Sequence, residues 1–286
     1  IQIQRGVGTS TNGAGAFGAS VNLMTNDYNP SAYLSLQNTA GSFNSFKNNI
    51  VFGSGLLNNK FTIDGRLSSI MSDGFIDRAN SDLKSFYLST TYWGEKSSLR
   101  LNVFTGKERT YQAWYGVPQE LINTNRTFNP AGTEKADAPY DNQTDNYRQT
   151  HYQLFFNHQL AKNLDLQVTN YYTKGAGYYE EYKVKESLDD YGLAPVASDL
   201  VRQLWLDNWF YGTTFSAQYK RNADQLTIGG AFTRYKGLHY GKVIWSEVPV
   251  EKDYRWYDLE AFKNDFNIFP FRWIFLKRIC FHIQTF

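Results

Sequence analysis

Residues 209–219 read WFYGTTFSAQY, and their side chains alternate between two kinds. One set is aromatic or mostly apolar and comprises Trp209, Tyr211, Thr213, Phe215, Ala217 and Tyr219. The other set is small or polar and comprises Gly212, Thr214, Ser216 and Gln218. Because successive side chains of a β-strand point to opposite faces, this period predicts a strand with one apolar face. The stretch is about as long as the ~9–11 residues that a β-strand needs to cross a bilayer.

The same two-residue period recurs along the chain. Clear segments lie at 61–68, 85–92, 99–103, 152–160, 164–172 and 226–233, and weaker ones at 32–41, 46–56 and 255–268. With 209–219 they make about ten predicted strands. In the segment 61–68, Asp64 and Arg66 share the polar face, and placing them against lipid would cost several kcal/mol. We therefore expect that face to line the interior of a barrel.

The connections between these strands are sorted by length. Short ones lie at Leu57–Lys60, Gly94–Ser97, Ala161–Asn163 and Arg221–Asp224, and long ones at about 111–149, 177–208 and 239–254. A transmembrane barrel has tight turns on one rim and larger loops on the other. The alternative, a soluble sheet with one hydrated face, gives no reason for this sorting. The sequence therefore predicts an all-β fold, an antiparallel transmembrane β-barrel.

The composition agrees with a barrel and excludes several other classes. Aromatic residues make up 17% of the 286 residues, and the mean hydropathy of −0.51 excludes a bundle of membrane helices. A barrel tolerates this polarity because only alternate residues of its strands meet lipid. The formal net charge of +2 gives no reason to expect a nucleic-acid partner. A single cysteine, Cys280, excludes an intramolecular disulfide framework.

No recognisable enzyme or cofactor site is present in the sequence. Residues 13–18 match the G-x-G-x-x-G pattern, but a strand and turn signal follows, and Asn38 stands where a dinucleotide site needs an acid. The four histidines form no spacing typical of metal ligands. No Ser, His and Asp set lies around a nucleophile elbow. We expect a non-enzyme without a metal or cofactor.

The predicted long connections carry several aromatic side chains. The candidates for ligand contact are Tyr111, Trp114, Tyr115, Tyr178 and Tyr179. Two interpretations stay open, because such residues form either the membrane-interface girdle or an exposed platform for a bulky ligand. Glu180 and Glu181 fall in the same predicted loop. A solvated loop surface is the default interpretation for them, and contact with a cationic or metal-chelate ligand is the minority one.

Residues 4–25 resemble the end of the plug domain of TonB-dependent outer-membrane receptors. The matching plug-end residues, expected to be structural, are Arg5, Gly6, Gly13, Gly15, Gly18 and Asn22. Val21 replaces the usual Ile, and Ala19 stands where a second Gly is common. A barrel pattern begins directly afterwards, as in that family. Glycines here would let the chain double back between plug and wall.

The resemblance implies a plug inside a 22-stranded barrel in the outer membrane of a Gram-negative bacterium. It also implies active uptake of a scarce nutrient, with an iron–siderophore complex as first choice, cobalamin second and an oligosaccharide third. The implied partners are outer-membrane lipid and a TonB–ExbB–ExbD complex that energises the full-length protein. A passive porin or a surface adhesin without energy coupling is the alternative.

The resemblance divides the chain into three parts. Residues 1–27 are expected to be the end of a plug domain, residues 28–268 a partial barrel, and residues 269–286 an off-pattern tail. The tail lacks Asp and Glu and does not alternate, which suggests a frameshift near Phe269. Ten strands leave two open edges in lipid, and unpaired backbone groups there are costly. We therefore expect a fragment that transports nothing by itself.

Overall fold

The computed structural model describes residues 2–6, 18–22, 29–222, 224–276 and 279–284. Most of these residues are in strands. The strands are β1 (Gln2–Arg5), β2 (Ala19–Asn22), β3 (Ala32–Gly41), β4 (Ser45–Ser54), β5 (Phe61–Ser72), β6 (Ser81–Trp93), β7 (Ser97–Tyr111), β8 (Thr144–Ala161), β9 (Leu164–Ser187), β10 (Ala197–Arg221), β11 (Asp224–Ser246), β12 (Tyr254–Leu276) and β13 (Ile279–Gln284). Short 3-10 turns occur at Gln119–Leu121 and Leu188–Tyr191. In the described part of the chain, no helix has the length and hydropathy to cross a bilayer.

The strands form an antiparallel meander. Strands β3 to β13 make one sheet in which each strand pairs with its neighbours in sequence, and β1 and β2 form a separate pair. This arrangement confirms the predicted fold class, a partial antiparallel barrel. The eleventh strand of the large sheet, β13, lies in the predicted tail, and β12 continues without interruption past Phe269. The domain bounds stay a prediction, and the one near residue 27 lies outside the described residues.

One face of the large sheet, hereafter the outer face, is apolar and exposed. Directly opposed residues of antiparallel strands share a face, and the register opposes Leu101 to Leu154 and Tyr152 to Tyr172. Exposed members on successive strands include Leu34, Leu36, Ile50, Phe61, Ile63, Leu67, Leu99, Leu101, Tyr152, Leu154, Tyr172, Tyr211, Phe215, Ile228, Phe232, Phe266 and Ile268. A water-soluble sheet would bury such residues, whereas a membrane-facing wall presents them to lipid.

The opposite face, hereafter the lumen face, carries the polar side chains, as predicted for Asp64 and Arg66. The Tyr33 hydroxyl donates to Asp64 Oδ1 at 2.9 Å, and Arg66 Nε donates to Ser68 Oγ at 3.0 Å. Buried polar residues on this face include Asn49, Thr62, Ser89, Thr91, Asn102 and Thr173. The sheet therefore has the reverse of the exposure pattern of a soluble domain.

Aromatic rings cover glycines on neighbouring strands. A Cβ atom added to Gly65 would overlap the Phe52 ring, and one added to Gly212 would lie 2.6 Å from the Tyr171 hydroxyl. The absence of side chains at these positions lets the rings lie against the backbone of the next strand. Part of the high aromatic and glycine content is thus explained by packing within the sheet.

The connections are sorted between the two rims. On one rim, hereafter the long rim, they span 42–44, 73–80, 112–143, 188–196 and 247–253; on the short rim they span 55–60, 94–96, 162–163 and 222–223, the last including one residue that is not described. The bounds predicted for the second and third long loops, 177–208 and 239–254, are wrong. Strands β9 to β12 are 23–25 residues long, and their ladder of backbone pairs continues through most of both ranges.

A small hydrophobic cluster stabilises the ends of these strands at the long rim. Leu188, Tyr191, Leu200 and Val243 are almost fully buried there. Val248, from the neighbouring connection, packs against them. Because strands that leave the lipid lose their apolar surroundings, such a cluster supplies the burial that keeps them paired. It joins the connections 188–196 and 247–253.

The outer face makes a direct prediction for charge substitution. Leu154→Arg should lower the free energy of unfolding in a bilayer by about 2–4 kcal/mol, because it places a cation on the lipid-facing side. The measurement is denaturant unfolding of the full-length gene product in lipid vesicles. Gln153→Arg, one position away on the lumen face, is the matched control. Equal losses for both variants would contradict the assignment of the two faces.

Candidate functional site

The five candidate aromatic residues occupy different environments at the long rim. Tyr111 ends β7, and Trp114 and Tyr115 follow in the connection 112–143. Tyr178 and Tyr179 lie within β9, not in a loop. Since neighbours on a strand point to opposite faces, Tyr178 and Tyr179 cannot contact one ligand from the same side. The structure therefore separates residues that the sequence grouped together.

Tyr111 binds the connection 112–143 to the sheet. Its side chain is buried, and its hydroxyl donates to the carbonyl oxygens of Tyr140 at 2.6 Å and Ala131 at 3.2 Å. The Arg78 guanidinium lies 5.8 Å from the centre of its ring and also donates to the Ala131 carbonyl. These contacts hold the connection 112–143 against the end of β7. A ligand could not reach this hydroxyl without opening the connection.

Trp114 and Tyr115 are the exposed members of the group. Their exposed fractions are 56% and 55%, values that leave both rings available for contact. The Trp114 ring packs edge-on against Tyr179, with ring centres 5.8 Å apart. Tyr178 instead packs against Trp205 in a tilted arrangement, with ring centres 4.5 Å apart. Tyr179 faces the lumen and Trp114 packs against it, so these two are the candidates that lie together, and Tyr115 is exposed in the connection.

A cavity of about 410 Å³, hereafter the rim pocket, lies beside Tyr179 on the lumen face. Its lining includes Glu108, Asp145, Tyr147, Tyr179, His239 and Tyr257. These residues come from five strands, and the sequence analysis identified none of Glu108, Asp145, His239 or Tyr257. The only local signal was their position on the polar side of each strand. Two carboxylates beside three phenols suit a ligand that presents hydrogen-bond donors or positive charge.

Glu180 is the centre of a buried hydrogen-bond network. Its exposed fraction is only 2%, so the interpretation of a solvated loop surface is wrong for this residue. One carboxylate oxygen accepts hydrogen bonds from the Tyr140 hydroxyl at 2.6 Å and from Asn142 Nδ2 at 2.5 Å. The other accepts from Gln203 Nε2 at 2.7 Å. This carboxylate joins the connection 112–143 to β9 and β10.

Glu181 is also held in an interaction within the protein, an ion pair with Arg202. Arg202 Nε and Nη2 both donate to Glu181 Oε2, at 2.9 and 2.8 Å. The Glu181 side chain is only 12% exposed and the Arg202 side chain 24%, so the pair is shielded from solvent. Neither acid therefore presents a free carboxylate to a ligand. The sequence missed this because the backbone pairing of β9 with β10 brings Glu181 opposite Arg202.

The plug-end residues lie around the β1–β2 pair. Arg5 pairs with Ala19, and the Gly6 amide donates to the Gly18 carbonyl at 2.7 Å. Gly6 has a φ of 92°, a conformation that side chains disfavour, so glycine suits this position. Asn22 pairs with Gln2. Gly13 and Gly15 lie outside the described residues.

Within the described ranges, no group of three or more His, Cys, Asp and Glu residues is arranged to hold a metal ion. The rim pocket carries Glu108, Asp145 and His239, but they do not form such a group. The chemistry that it offers is therefore hydrogen bonding, charge and aromatic contact.

The fold is that of known outer-membrane transport proteins. The ferric-catecholate import receptor Fiu from E. coli K12 matches in its open form with a TM-score of 0.65 and 13% identity, over 95% of this chain and 46% of that one. The siderophore receptor PiuA from Acinetobacter baumannii gives 0.65 and 13%, over 95% and 44%. The copper transporter OprC gives 0.68 and 12%, over 96% and 39%. The chain thus spans less than half the length of each protein.

These matches confirm the predicted fold class, a partial antiparallel barrel. No family model and no curated protein sequence matches the chain. Because identities near 12–13% carry the architecture but not the site, the comparisons leave the ligand open.

The Glu180 network predicts how the connection 112–143 is held. Glu180→Ala leaves three donors without their acceptor, so the free energy of opening this connection should fall by about 1–3 kcal/mol. The measurement is amide hydrogen exchange across residues 112–143 in the full-length gene product. Asp189→Ala, an exposed acid in another connection, is the control and should leave exchange unchanged. Unchanged exchange in Glu180→Ala would contradict the network.

Ionisation of Tyr140 should make the connection 112–143 less stable at high pH. Burial, and next its hydrogen bond to the Glu180 carboxylate, raise the pKa of Tyr140 above its ordinary value of about 10. A raised pKa in the closed state means that the stabilisation is complete below about pH 10 and is lost as the pH rises further. Cleavage within 112–143 by a short proteinase K pulse should increase over that range. Tyr140→Phe should flatten the increase, and an identical pH profile would contradict this assignment.

Proposed function

We propose that this chain forms part of the wall of an outer-membrane receptor that actively imports a scarce nutrient. The observation that carries the proposal is the exposure of the sheet, with apolar side chains outward and polar side chains on the lumen face. Such a wall is stable only when lipid covers its outside. The long rim, with the rim pocket, then faces the exterior. The similarity in fold to receptors and transporters of small ligands supports this placement.

The preferred ligand class is an iron–siderophore complex, with cobalamin second and an oligosaccharide third. The exposed Trp114 and Tyr115 rings and the lumen-facing Tyr179 offer aromatic surface, and Glu108 and Asp145 offer acceptors. A bulky chelate with planar rings and hydrogen-bond donors suits that combination. Two of the three compared proteins carry siderophore or ferric-catecholate in their names, and the third carries copper.

Energy coupling distinguishes this proposal from a passive porin or an adhesin. The plug-end residues Arg5, Gly6, Gly18 and Asn22 precede the first strand of the wall, which supports a plugged barrel. A plugged barrel does not conduct freely and needs an input of energy to release its ligand inward. TonB, with ExbB and ExbD, is the proposed source of that energy. No catalytic step is proposed.

The test is ligand uptake by a receptor-null Gram-negative strain that expresses the full-length gene product. We expect iron–siderophore accumulation that disappears when TonB is deleted or the proton gradient is collapsed. Uptake that survives both treatments would identify a passive pore. Surface binding without accumulation would identify an adhesin. Uptake of cobalamin or an oligosaccharide alone would retain the transport class and replace the ligand.

The aromatic side of the rim pocket predicts an affinity change. Trp114→Ala combined with Tyr179→Ala should weaken ligand binding to whole cells by about 30-fold, because each aromatic contact with the ligand contributes on the order of 1 kcal/mol. Ile122→Ala, an exposed apolar position in the same connection, is the control. The readout is equilibrium binding of labelled ligand with transport blocked. Equal affinity in the double variant would remove these residues from the binding site.

A further inference from the structure

Three cations stand side by side on the outer face of β6, β7 and β8. The register places Lys84 directly opposite Lys107, and Lys107 directly opposite Arg148. Opposed residues share one face, and the same face carries Phe86, Val103 and Tyr152 on these strands. All three cationic side chains are exposed. We call these three residues the cation row.

The cation row follows directly on the apolar part of the wall. On β6, Lys84 lies two residues beyond Phe86, and on β7, Lys107 lies four residues beyond Val103. On β8, Arg148 lies four residues beyond Tyr152, towards the long rim. Measured from the short rim, the row stands about ten or more residues along its strands, which is the length that crosses the hydrocarbon. It therefore lies at the level where lipid headgroups begin.

The row carries excess positive charge. Among the described residues, no carboxylate lies within ion-pair distance of Lys107 or Arg148. Asp82 lies 3.1 Å from Lys84 and is also opposed to Arg109. One carboxylate thus faces several cations on this part of the wall.

On the neighbouring part of the outer face, two cations have acidic partners. There Lys174 pairs with Asp207, and Lys236 pairs with Glu260 at 3.1 Å. These cations lie at a similar distance from the short rim as the cation row. Arg234 on β11 is also exposed and outside these ion pairs, but the residues opposed to it are Tyr211 and Asn264. The run of directly opposed cations is therefore the distinguishing feature of β6–β8.

Like charges directly opposed across two strands destabilise a sheet unless an anion lies between them. We propose that the cation row binds the phosphate of an anionic lipid headgroup. A lipid can contact both the cations and the apolar side chains beside them. Its phosphate would bind the three cations, and its acyl chain would lie along Phe86, Val103 and Tyr152. A free anion would contact only the cations. The site takes a phosphate-bearing lipid and is separate from the rim pocket, which lies on the lumen face.

The inference depends on the proposed function only for the placement of the wall in a bilayer. Its experiment uses purified full-length gene product in vesicles of phosphatidylcholine, with and without phosphatidic acid. Retention of phosphatidic acid is measured by native mass spectrometry after extraction into non-ionic detergent. Lys107→Gln with Arg148→Gln is the test variant, and Lys236→Gln with Glu260→Gln, which removes an ion pair of the same face, is the matched control.

The wild type and the control should retain phosphatidic acid in preference to phosphatidylcholine. The test variant should bind it about 25-fold less tightly, since each cation near an anionic surface contributes about fivefold. In detergent without anionic lipid, the test variant should unfold at the same temperature as the wild type or higher, because repulsion is relieved. That second result separates a binding role from a structural one.

Three binding results would each overturn the proposal: equal retention by wild type and test variant, an equal loss in the control, or displacement of the lipid by inorganic phosphate with no preference for the lipid. An unfolding temperature that falls in the test variant without lipid would mark the cations as structural and would also overturn it. Failure of nutrient uptake with lipid retention intact would contradict the proposed function alone.

Discussion

A hydrocarbon environment offers no partner to a backbone N–H or C=O group, so each group inside it must be paired within the protein. The meander from β3 to β13 meets this condition between its two edge strands, because each strand pairs with the next in sequence. Once the backbone is paired in this way, the two-residue period assigns each side chain to lipid or to lumen. The exposed Leu101 and Leu154 and the buried Ser89 and Asn102 follow from that one constraint.

At the long rim the strands are stabilised differently, because they continue beyond the lipid into water. There β9 to β12 keep their backbone pairing but gain a small core around Leu188 and Leu200, and the connection 112–143 is held by Glu180 and Tyr111. These contacts are buried hydrogen bonds, including those to the Glu180 carboxylate, and apolar burial. They provide a rigid margin on which Trp114 and Tyr115 remain exposed. A receptor needs such a margin, because a binding surface on loose loops would lose affinity to ordering.

Sequence reasoning was most accurate where the period was clean. The polar side with Asp64 and Arg66 and the apolar side with Trp209 and Tyr211 lie as expected. It failed for 177–208 and 239–254, which were interpreted as loops. Outside the lipid, alternation no longer has to separate apolar from polar residues, so the strand signal fades although the backbone pairing continues. Glu180 was misplaced for that reason: a carboxylate suggests solvent, yet three neutral donors from distant segments bury it.

What the sequence determined by itself was the alternation, and with it the all-β class and the two-sided wall, because side-chain direction along a strand is a local property. Only the tertiary structure decided which distant residues meet. The alignment of Lys84, Lys107 and Arg148 and the gathering of Glu108, Asp145 and His239 depend on strand register. Register is set by pairing across the whole sheet, and a shift of one residue would move each side chain to the other face.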